Sequence, residues 1–241
     1  MLLILEETVR SGVPVTPTDV NAAIGLPKPT IHRLFATLEA EGFLIRELDG
    51  RAYTAGQRLR RMSSNVLSSL RIRTARLAVL GRLAAEIGET CNLAVPDREA
   101  MVYLDRVETE WPLRIQLPIG TKVPFYCTAS GKMYLSSLNV AHLERYLRAA
   151  SLTQQTARTI TDIEVLRREI AKTRERGFGT DDEEFMEGMV ALAVPILDDQ
   201  DRLVSTLSFH APAVRMSLLQ AREHLDRLRS ASEEMSRLLL T

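Results

Sequence analysis

Cys127 and His210 are the two residues of this 241-residue chain best suited in type to nucleophilic or metal chemistry. A cysteine beside a histidine would suit a nucleophile and its base, and with a carboxylate the pair would suit zinc. The sequence supplies no evident third group to orient the histidine, and its cysteine and histidine spacing resembles no zinc module. We therefore expect Cys91 and Cys127 to be small buried residues, with a metal held by Cys127, His210 and a carboxylate as the alternative.

The run 128-TASGKM-133 comes nearest to a phosphate-binding loop. The motif GxxxxGK[ST] requires a glycine where Tyr126 stands and a serine or threonine where Met133 stands, so the match fails at both ends. The acidic run 181-DDEE-184 favours a turn or loop over a metal site. Because no catalytic constellation is complete, the sequence favours a protein that is not an enzyme and needs no cofactor.

The net charge of the chain is zero, but the charge is unevenly distributed. Residues 50–85 contain eight arginines and no acidic residue. This basic block indicates either a contact with a polyanion such as DNA or a solvated helix face with ordinary ion pairs. No segment has the features of a signal peptide or a membrane span, so we expect a cytoplasmic protein with no membrane partner.

The first 56 residues have the pattern of a winged helix-turn-helix. Apolar residues at helical spacing predict three helices, over residues 2–11, 16–24 and 29–41. Thr16, Pro17 and Asp19 form a predicted capping box at the start of the second helix. Two strands, 43–48 and 51–54, are predicted around the turn residues Asp49-Gly50. This order predicts a DNA-binding domain, with a protein-binding helical subdomain as the alternative.

Beyond residue 56 the pattern predicts a linker helix, 57–71, and an effector-binding and oligomerisation domain, 72–241. The linker helix carries an apolar stripe that would pack on a second copy of the chain, on its own wing, or on both. Helices are predicted at 72–87, from 129, at 139–149, 161–176 and 214–240, and strands at 91–95, 100–107, 113–117, 190–197 and 202–209. Strands joined as hairpins and flanked by helices predict an α+β fold with an antiparallel sheet.

Five ordered stretches of the chain resemble the IclR family of bacterial transcription regulators. They are 26-LPKPTIHRLFATLEAEGF-43, 100-AMVYLDRVET-109, 116-QLPIGTKVPFYCTASGK-132, 177-GFGTDDEEFMEGMVALAVPI-196 and 206-TLSFHAP-212. The resemblance implies a winged helix, a linker helix and a GAF-like effector-binding domain. It also implies dimers or tetramers on double-stranded operator DNA, controlled by a small organic acid or aromatic catabolite.

Two departures from the family pattern bear on DNA binding. The first predicted helix begins almost at Met1, whereas family members usually start several residues earlier, and Pro29 stands where the family usually has serine. These departures leave an alternative function open, that of a ligand sensor whose winged helix has lost specific DNA binding. Repression and activation are both compatible with the sequence.

The exposed face of the third helix supplies most of the predicted DNA contacts. His32 and Arg33 are expected to reach base edges, since arginine to guanine is the commonest specific contact. The alternatives are a solvated His32 and an ion pair between Arg33 and Glu41, and Thr16 is either a phosphate contact or a cap only. The residues assigned to phosphates are Lys28, Thr30, Arg51 and, at the start of the second helix, Thr16 and Thr18. Pro29 and Thr37 complete the predicted interface.

The resemblance places a small-molecule pocket in the C-terminal domain. The matching positions are Ala129, Ser130, Gly131, Asp181, Ala191, Ser208 and His210, with Ile115, Leu117 and Met189 as apolar walls. Small residues at 129–131 would leave backbone N–H groups free at a helix N-terminus, which favours an anion, so we expect a small carboxylate. Alternation places Ser208 and His210 on one face of a strand. The alternatives are a capping Ser130, an Asp181 that caps a turn, and a core His210 bonded to backbone.

Overall fold

The computed structural model describes residues 1–47, 50–67, 70–112 and 114–239. Within these ranges, the side chains of residues 64–72 and 239 are not described. The chain divides into two compact units, Met1–Leu70 and Arg71–Thr241. No helix of the described residues is long and apolar enough to cross a bilayer.

The first unit is a three-helix domain with a two-stranded wing, followed by a fourth helix. Its elements are α1 (Leu2–Arg10), α2 (Pro17–Ile24), α3 (Lys28–Ala40), β1 (Leu44–Arg46), β2 (Tyr53–Ala55) and α4 (Gln57–Leu67). The two strands pair antiparallel, and Val15 adds a bridge to Tyr53. Apolar residues from all three helices and the wing form one core, including Ile4, Val20, Ile31, Phe35 and Leu38. The predicted order of elements is confirmed, with the turn residues Leu48 and Asp49 outside the described part.

The start of α2 and its turn to α3 are each defined by local contacts. Thr16 and Asp19 form the predicted capping box at the start of α2. Gly25 ends α2 with φ +73°, a left-handed conformation that favours glycine. The Asn21 amide spans the turn, since its Nδ2 donates to the Leu26 carbonyl and its Oδ1 accepts from the Leu26 N–H, both at 2.8 Å. The angle between the two helices is therefore defined by hydrogen bonds as well as by the core.

The second unit is built on a six-stranded antiparallel sheet in the order β5-β4-β3-β8-β7-β6. The strands are β3 (Thr90–Asp97), β4 (Ala100–Val107), β5 (Lys122–Pro124), β6 (Gly179–Asp182), β7 (Met189–Leu197) and β8 (Leu203–Pro212). The helices are α5 (Leu70–Ile87), α6 (Ala129–Ser137), α7 (Val140–Ala149), α8 (Ile163–Arg176), α9 (Leu218–Arg222) and α10 (Leu225–Leu239). This arrangement confirms the predicted α+β class.

Helices cover both faces of this sheet. One face carries Cys91, Leu192, Leu207 and Phe209, and packs on apolar residues of α5, α9 and α10. The other face is more polar and has α6 against it, where Ala129 and Met133 pack on the β7 alanines. Beyond α6, residues of α7 and α8 join a separate core with the β4–β5 region. The polar face is therefore enclosed between the sheet and α6.

Several predicted elements need correction. Residues 114–117 form no strand, because Arg114 pairs with Glu108 and the Ile115 carbonyl is bound by side chains instead of a neighbouring strand. The strand next to β4 is β5. The predicted helix 214–240 is divided, because Ser217 caps α9 and α9 ends at Arg222.

The prediction also missed one strand. In the run 181-DDEE-184, expected in a turn or loop, Asp181 and Asp182 end the strand β6 (Gly179–Asp182), whereas the next two residues lie outside any strand. The described part of α4 is Gln57–Leu67 and that of α5 is Leu70–Ile87, with residues 68 and 69 between them outside the described part, so the boundary of the linker helix stays a prediction. On the apolar stripe of α4, Met62 is about half exposed, whereas Val66 and Leu70 belong to the stretch whose side chains are not described.

Candidate functional site

The exposed face of α3 carries cationic side chains without protein partners. Ile31, Phe35 and Leu38 face the core, which leaves Lys28, His32, Arg33 and Thr37 exposed on the other face. Within the described part of the chain, the side chains of Lys28, His32 and Arg33 make no hydrogen bond or ion pair. Polar groups with no partner in the protein are available to phosphates and base edges.

The ion pair considered as an alternative role for Arg33 does not form. Its expected acceptor, Glu41, accepts instead from Arg58 on α4, at 2.7 Å. The Thr37 hydroxyl, four residues after Arg33, donates to the Arg33 carbonyl at 3.0 Å. Arg33 therefore remains exposed with its guanidinium uncommitted to any described residue.

Pro29 reduces the number of free backbone N–H donors at the start of α3. The helix begins at Lys28 after the N-cap Pro27, which has no side-chain cap. Pro29 lacks an N–H group, and the Thr30 N–H donates to the Pro27 carbonyl at 2.9 Å. Among the first three positions, only the Lys28 N–H is left for a ligand, so this terminus is a weak phosphate site. The half-buried Thr30 keeps its hydroxyl as the remaining polar group there.

The other predicted DNA residues lie at the edges of this face. The hydroxyl of Thr16 is half-buried and engaged in the capping box, where it donates to Asp19 at 2.7 Å. Thr18 is exposed in the first turn of α2, and Arg51 is exposed between the two wing strands. The cap role of Thr16 is therefore established by its contacts, and Thr18 is the better exposed of the two threonines.

An ion pair ties the wing to α3. Arg46 of β1 donates to both carboxylate oxygens of Glu39, at 3.1 and 2.8 Å, and its guanidinium lies 4.8 Å from the Tyr53 ring centre. Arg46 also donates to the Gly50 carbonyl at 3.1 Å. The hydrogen bond to Arg46 lowers the pKa of Glu39, so the carboxylate stays charged at neutral pH. The wing is thereby held in a defined position beside α3.

Strand register brings four of the predicted effector residues into two adjacent rows across the sheet. The first row, from β4 to β6, is Arg106, Asn92, Ser208, Ala193 and Gly179. The second row, from β3 to β6, is Thr90, His210, Ala191 and Asp181. These registers confirm that Ser208 and His210 share a face. The rows form a floor of small residues with Arg106 toward one end and Asp181 at the other.

His210 has both ring nitrogens engaged within the protein. Asn92 Nδ2 lies 3.2 Å from His210 Nδ1, and His210 Nε2 lies 3.4 Å from the Ile115 carbonyl. Arg106 can only donate, and it donates to Asn92 Oδ1 at 3.0 Å, which leaves the amide NH₂ facing the histidine. The network therefore assigns a neutral His210 with its proton on Nε2. Burial, reinforced by the charge of Arg106, lowers the pKa of His210 to about 4, in agreement with this assignment.

The N-terminus of α6 offers two backbone donors. Thr128, and not Ser130, caps the helix, accepting from the Gly131 N–H at 3.1 Å. The N–H groups of Ala129 and Ser130 have no partner among the described residues, and both residues are buried. A side chain at Gly131 would meet the Phe125 backbone at 2.3 Å. The small residues at 129–131 therefore permit close packing as well as leaving donors free.

Gly179 brings the edge strand against this helix terminus. A Cβ atom at Gly179 would lie 2.1 Å from the Ala129 carbonyl oxygen, so only glycine allows this approach. Asp181 follows two residues later on the same face of β6, about 7 Å farther along the strand. The predicted acidic residue and the predicted anion site thus lie in the same part of the fold.

Asp181 is buried with one carboxylate oxygen unsatisfied. Its Oδ1 accepts from the N–H groups of Glu184 and Phe185, at 2.8 and 3.3 Å, which is the turn-capping role considered from the sequence. Its Oδ2 has no partner among the described residues. Burial raises the pKa of Asp181 to about 7, while nearby Lys132 opposes the rise. Both protonation states are therefore populated near neutral pH, and Oδ2 is open to a ligand donor.

A buried ion pair lies behind Asp181. The side chain of Lys132, on α6, is fully buried and donates to Glu184, with Glu169 of α8 at 4.0 Å. Burial raises the pKa of Glu184, and Lys132 lowers it in opposition. The pair joins α6 to the loop after β6, so the lysine singled out for a phosphate loop instead has a partner in the core.

The residues predicted as apolar walls are buried or half-buried, and a buried tyrosine belongs to the core on which one of them packs. Met189 is buried on the same side of β7 as Ala191, and Leu117 packs on the core that includes Tyr103. Ile115 is half-buried and contributes its carbonyl to the network described above. Burial raises the pKa of Tyr103 to about 12, so its phenol keeps its proton.

Neither cysteine is a nucleophile in this fold. Both are free and fully buried. Burial raises the pKa of Cys127 to about 12 and that of Cys91 further still, which leaves both thiols protonated. Within the described ranges, no group of three His, Cys, Asp or Glu side chains is arranged to hold a metal ion.

Sequence reasoning missed the residues that connect the predicted ones. Asn92 and Arg106 position His210, Lys132 supports Asp181 and Glu184, and Asn21 fixes the turn before α3. A signal was available for two of them, because Asn92 and Arg106 interrupt apolar strands, and a polar residue inside such a strand requires a partner.

The sequence matches two known domains. Residues 2–47 match the IclR helix-turn-helix domain, and residues 64–237 match the IclR C-terminal domain of bacterial transcriptional regulators. The match to the probable transcriptional regulator SauR of Cupriavidus necator is 39% identical and covers 96% of this chain and 92% of that protein. The transcriptional repressor IclR of Escherichia coli is 30% identical, with 90% of this chain and 80% of that protein covered.

A solved structure of an IclR protein has the same fold as this chain. The crystal structure of the Thermotoga maritima IclR superposes with a TM-score of 0.67 at 32% identity, covering 97% of this chain and 94% of that one. Both units thus have the sequence and the fold of a winged-helix regulator joined to its regulatory domain. The chain belongs to the IclR family of bacterial transcriptional regulators.

Proposed function

We propose that this regulator binds operator DNA through α3 and its wing, and that a small carboxylate held between α6 and the polar face of the sheet controls that binding. The proposal rests on a difference in hydrogen-bonding partners between α3 and the face beneath α6. The cations on α3 have no described protein partner, while the face beneath α6 combines free N–H donors with a buried arginine. The chain acts as a binding protein and catalyses no reaction.

On the DNA side, Arg33 and His32 contact base edges, while Lys28, Thr30, Thr18 and Arg51 contact phosphates. The hydrogen bonds of Asn21 and the Arg46–Glu39 pair support this assignment, because they hold helix and wing in one geometry before DNA arrives. Preorganised elements lose less entropy on binding. The chain works as a homodimer or homotetramer, so that two winged helices meet the two halves of a pseudo-palindromic operator.

On the effector side, the Ala129 and Ser130 N–H groups at the start of α6 donate to an acceptor atom of the effector. The Ser208 hydroxyl has no described partner and is a further donor. Asp181 Oδ2 accepts from a hydroxyl group of the effector or stays protonated. Binding alters the spacing of the two winged helices and thereby shifts the chain between DNA-binding and non-binding states.

Footprinting on fragments upstream of its own gene and neighbouring operons tests this proposal, combined with thermal-shift screening against organic acids. We expect one specific footprint and stabilisation by a small carboxylate that also changes the footprint. Stabilisation by neutral or cationic compounds alone would reject the carboxylate. A carboxylate that binds without any specific footprint would favour a ligand sensor whose winged helix has lost specificity, to which Pro29 would contribute.

A further inference from the structure

Arg106 is a buried cation whose terminal nitrogens both bind uncharged oxygens. Its side chain is 3% exposed. It donates to Asn92 Oδ1 at 3.0 Å and to the Ile115 carbonyl, and its Nε donates to Glu108 at 3.2 Å, where that carboxylate is about one-third exposed. A guanidinium has five N–H groups, so two remain in addition to these three bonds.

The Ile115 carbonyl fastens the loop 114–121 to the floor of the effector site. It lies within reach of both Arg106 and His210 Nε2. The loop has a second attachment at its far end, where the Gly120 N–H donates to the Tyr103 carbonyl at 2.8 Å and the Tyr103 N–H donates to the Thr121 carbonyl at 3.1 Å. The near half of the loop is held by this carbonyl, by the Arg114–Glu108 ion pair, in which both side chains are about one-third exposed, and by the packing of Leu117 on the core. Of these three attachments, the carbonyl is the one bound by buried polar side chains.

A carboxylate is a better acceptor than this carbonyl. Hydrogen bonds between two ionised groups are shorter and stronger than bonds with one neutral partner. A carboxylate has two oxygens, one for Arg106 and one for the Nε2 proton of His210. Asn92 and Glu108 continue to hold the guanidinium during such an exchange, so the anchor stays preorganised.

We propose that Arg106 is an anchor for the effector's carboxylate, which takes the place of the Ile115 carbonyl and thereby releases the loop 114–121. This inference rests on the carboxylate effector proposed above and adds both a binding residue and its structural consequence. Arg106 and Asn92 stand in the same cross-strand row as Ser208, which places the anchor beside the small-residue floor. The effector then loosens one segment while it occupies the pocket.

Limited trypsin digestion tests this exchange directly. Trypsin cleaves after arginine, and the peptide bond between Arg114 and Ile115 lies where the loop is attached. The probes are sodium acetate, glycolate, benzoate and salicylate, with sodium chloride as the control. The cleavage rate at Arg114 is measured by mass spectrometry, and binding by thermal shift. For wild-type protein, we expect the stabilising carboxylate to accelerate this cleavage at least fivefold, whereas closure of a pocket would slow it.

Arg106→Gln is the test variant and Arg174→Gln its matched control. Arg174 also donates to two backbone carbonyls, those of Ser136 and Leu138, but on α6 and after it. We expect Arg106→Gln to be cut quickly at Arg114 without ligand and to bind the carboxylate at least tenfold more weakly, while Arg174→Gln behaves as wild type. If the glutamine variant does not fold, Arg106→Lys serves instead, since lysine keeps the charge but lacks the planar fork whose separate nitrogens bind Asn92 and Ile115.

The outcomes separate the two proposals. A carboxylate that stabilises the wild type yet slows cleavage, or binds the Arg106 variant equally well, rejects the exchange and leaves the carboxylate effector standing. If none of the four carboxylates stabilises the wild type, the carboxylate effector and the exchange are both rejected. Neither result bears on the DNA-binding role proposed for α3.

Discussion

The helix α3 and the polar face of the six-stranded sheet each contain an arginine and a histidine, in opposite physical states. Arg33 and His32 lie in solvent without described protein partners. Arg106 and His210 are buried, and every bond that the structure gives them leads to another part of the same domain. In the first unit, an arginine and a histidine are thus available to bind another molecule. In the second unit, the same two side-chain types make hydrogen bonds within the domain.

Solvation explains this difference. An exposed cation keeps its hydration until a phosphate replaces it, so it adds binding energy at little cost to stability. A buried cation has already lost its water and requires protein acceptors in exchange. Substitutions on α3 should therefore change binding alone, whereas substitutions near the sheet should change stability as well.

The strongest test of this contrast removes a buried charge. Lys132→Met deletes the partner of Glu184 while keeping the length of the side chain. We expect a loss of about 3–5 kcal/mol in the free energy of unfolding, because the buried carboxylate is left without a counter-charge. Urea titration followed by circular dichroism measures this loss.

Arg158→Gln is the matched control for that substitution. It removes an exposed ion pair with Asp182, 2.7 Å long and two residues before Glu184. An exposed pair contributes at most about 1 kcal/mol. Equal losses for the two variants would show that burial does not separate these pairs.

The second test uses pH, because burial moves the pKa values of Asp181 and His210 in opposite directions. The pKa of Asp181 is raised from 3.8 to about 7, so its contribution to stability is present below pH 3.8 and is lost as the pH rises to 7. The pKa of His210 is lowered from 6.5 to about 4, so its contribution is present above pH 6.5 and is lost as the pH falls to 4. The two slopes oppose each other between pH 4 and 6.5.

Asp181→Asn should remove the contribution of Asp181 to the pH dependence of stability and leave that of His210. We expect the stability of this variant to rise with pH between 4.5 and 6.5 more steeply than that of the wild type, by at most about 1.4 kcal/mol per pH unit. Urea midpoints at five pH values measure it. A variant profile that is parallel to the wild type would show that Asp181 does not titrate in this range.

The third test concerns the exposed arginine of α3. Arg33→Ala should weaken operator binding by about 2 kcal/mol and relax one base preference, because a bidentate base contact is lost. The free energy of unfolding should change by less than about 0.5 kcal/mol. Gel-shift titration on the footprinted fragment and on its single-base variants measures both affinity and preference.

Arg148→Ala controls for the loss of one positive charge, since Arg148 is an exposed arginine at the end of α7 in the other unit. It should leave operator affinity almost unchanged. Unaltered binding by Arg33→Ala would mean that α3 does not lie in the groove as proposed.

The smallest expected effect concerns the entrance to α3. Pro29→Ser restores one backbone N–H and adds a hydroxyl at a terminus where only the Lys28 N–H is free. We expect operator binding to tighten by about 0.5–1 kcal/mol, which is one hydrogen bond to a phosphate. The same gel-shift assay measures it at two salt concentrations. Weaker binding would show that the rigidity of proline contributes more than the missing donor.

Local chemistry made the first unit predictable from sequence. The Thr16–Asp19 capping box, the helical spacing of Ile31, Phe35 and Leu38, and the glycine after α2 are short-range signals, and the structure contains all of them. The sheet of the second unit was predicted less well. Residues 179–182 lack an alternating apolar pattern, and they form β6 because β7 supplies the partners and Gly179 packs on α6.

The effector site shows the same division between local and long-range information. The sequence by itself determined the family, the class of fold and the side-chain types of the floor, because alternation along a strand decides which residues share a face. Only the tertiary structure decided that His210 is neutral and fully bonded, that Asp181 keeps one oxygen free, and that Arg106 holds the Ile115 carbonyl. These states depend on burial and on partners far away in the chain, as with Asn92 and His210, which sequence spacing does not encode.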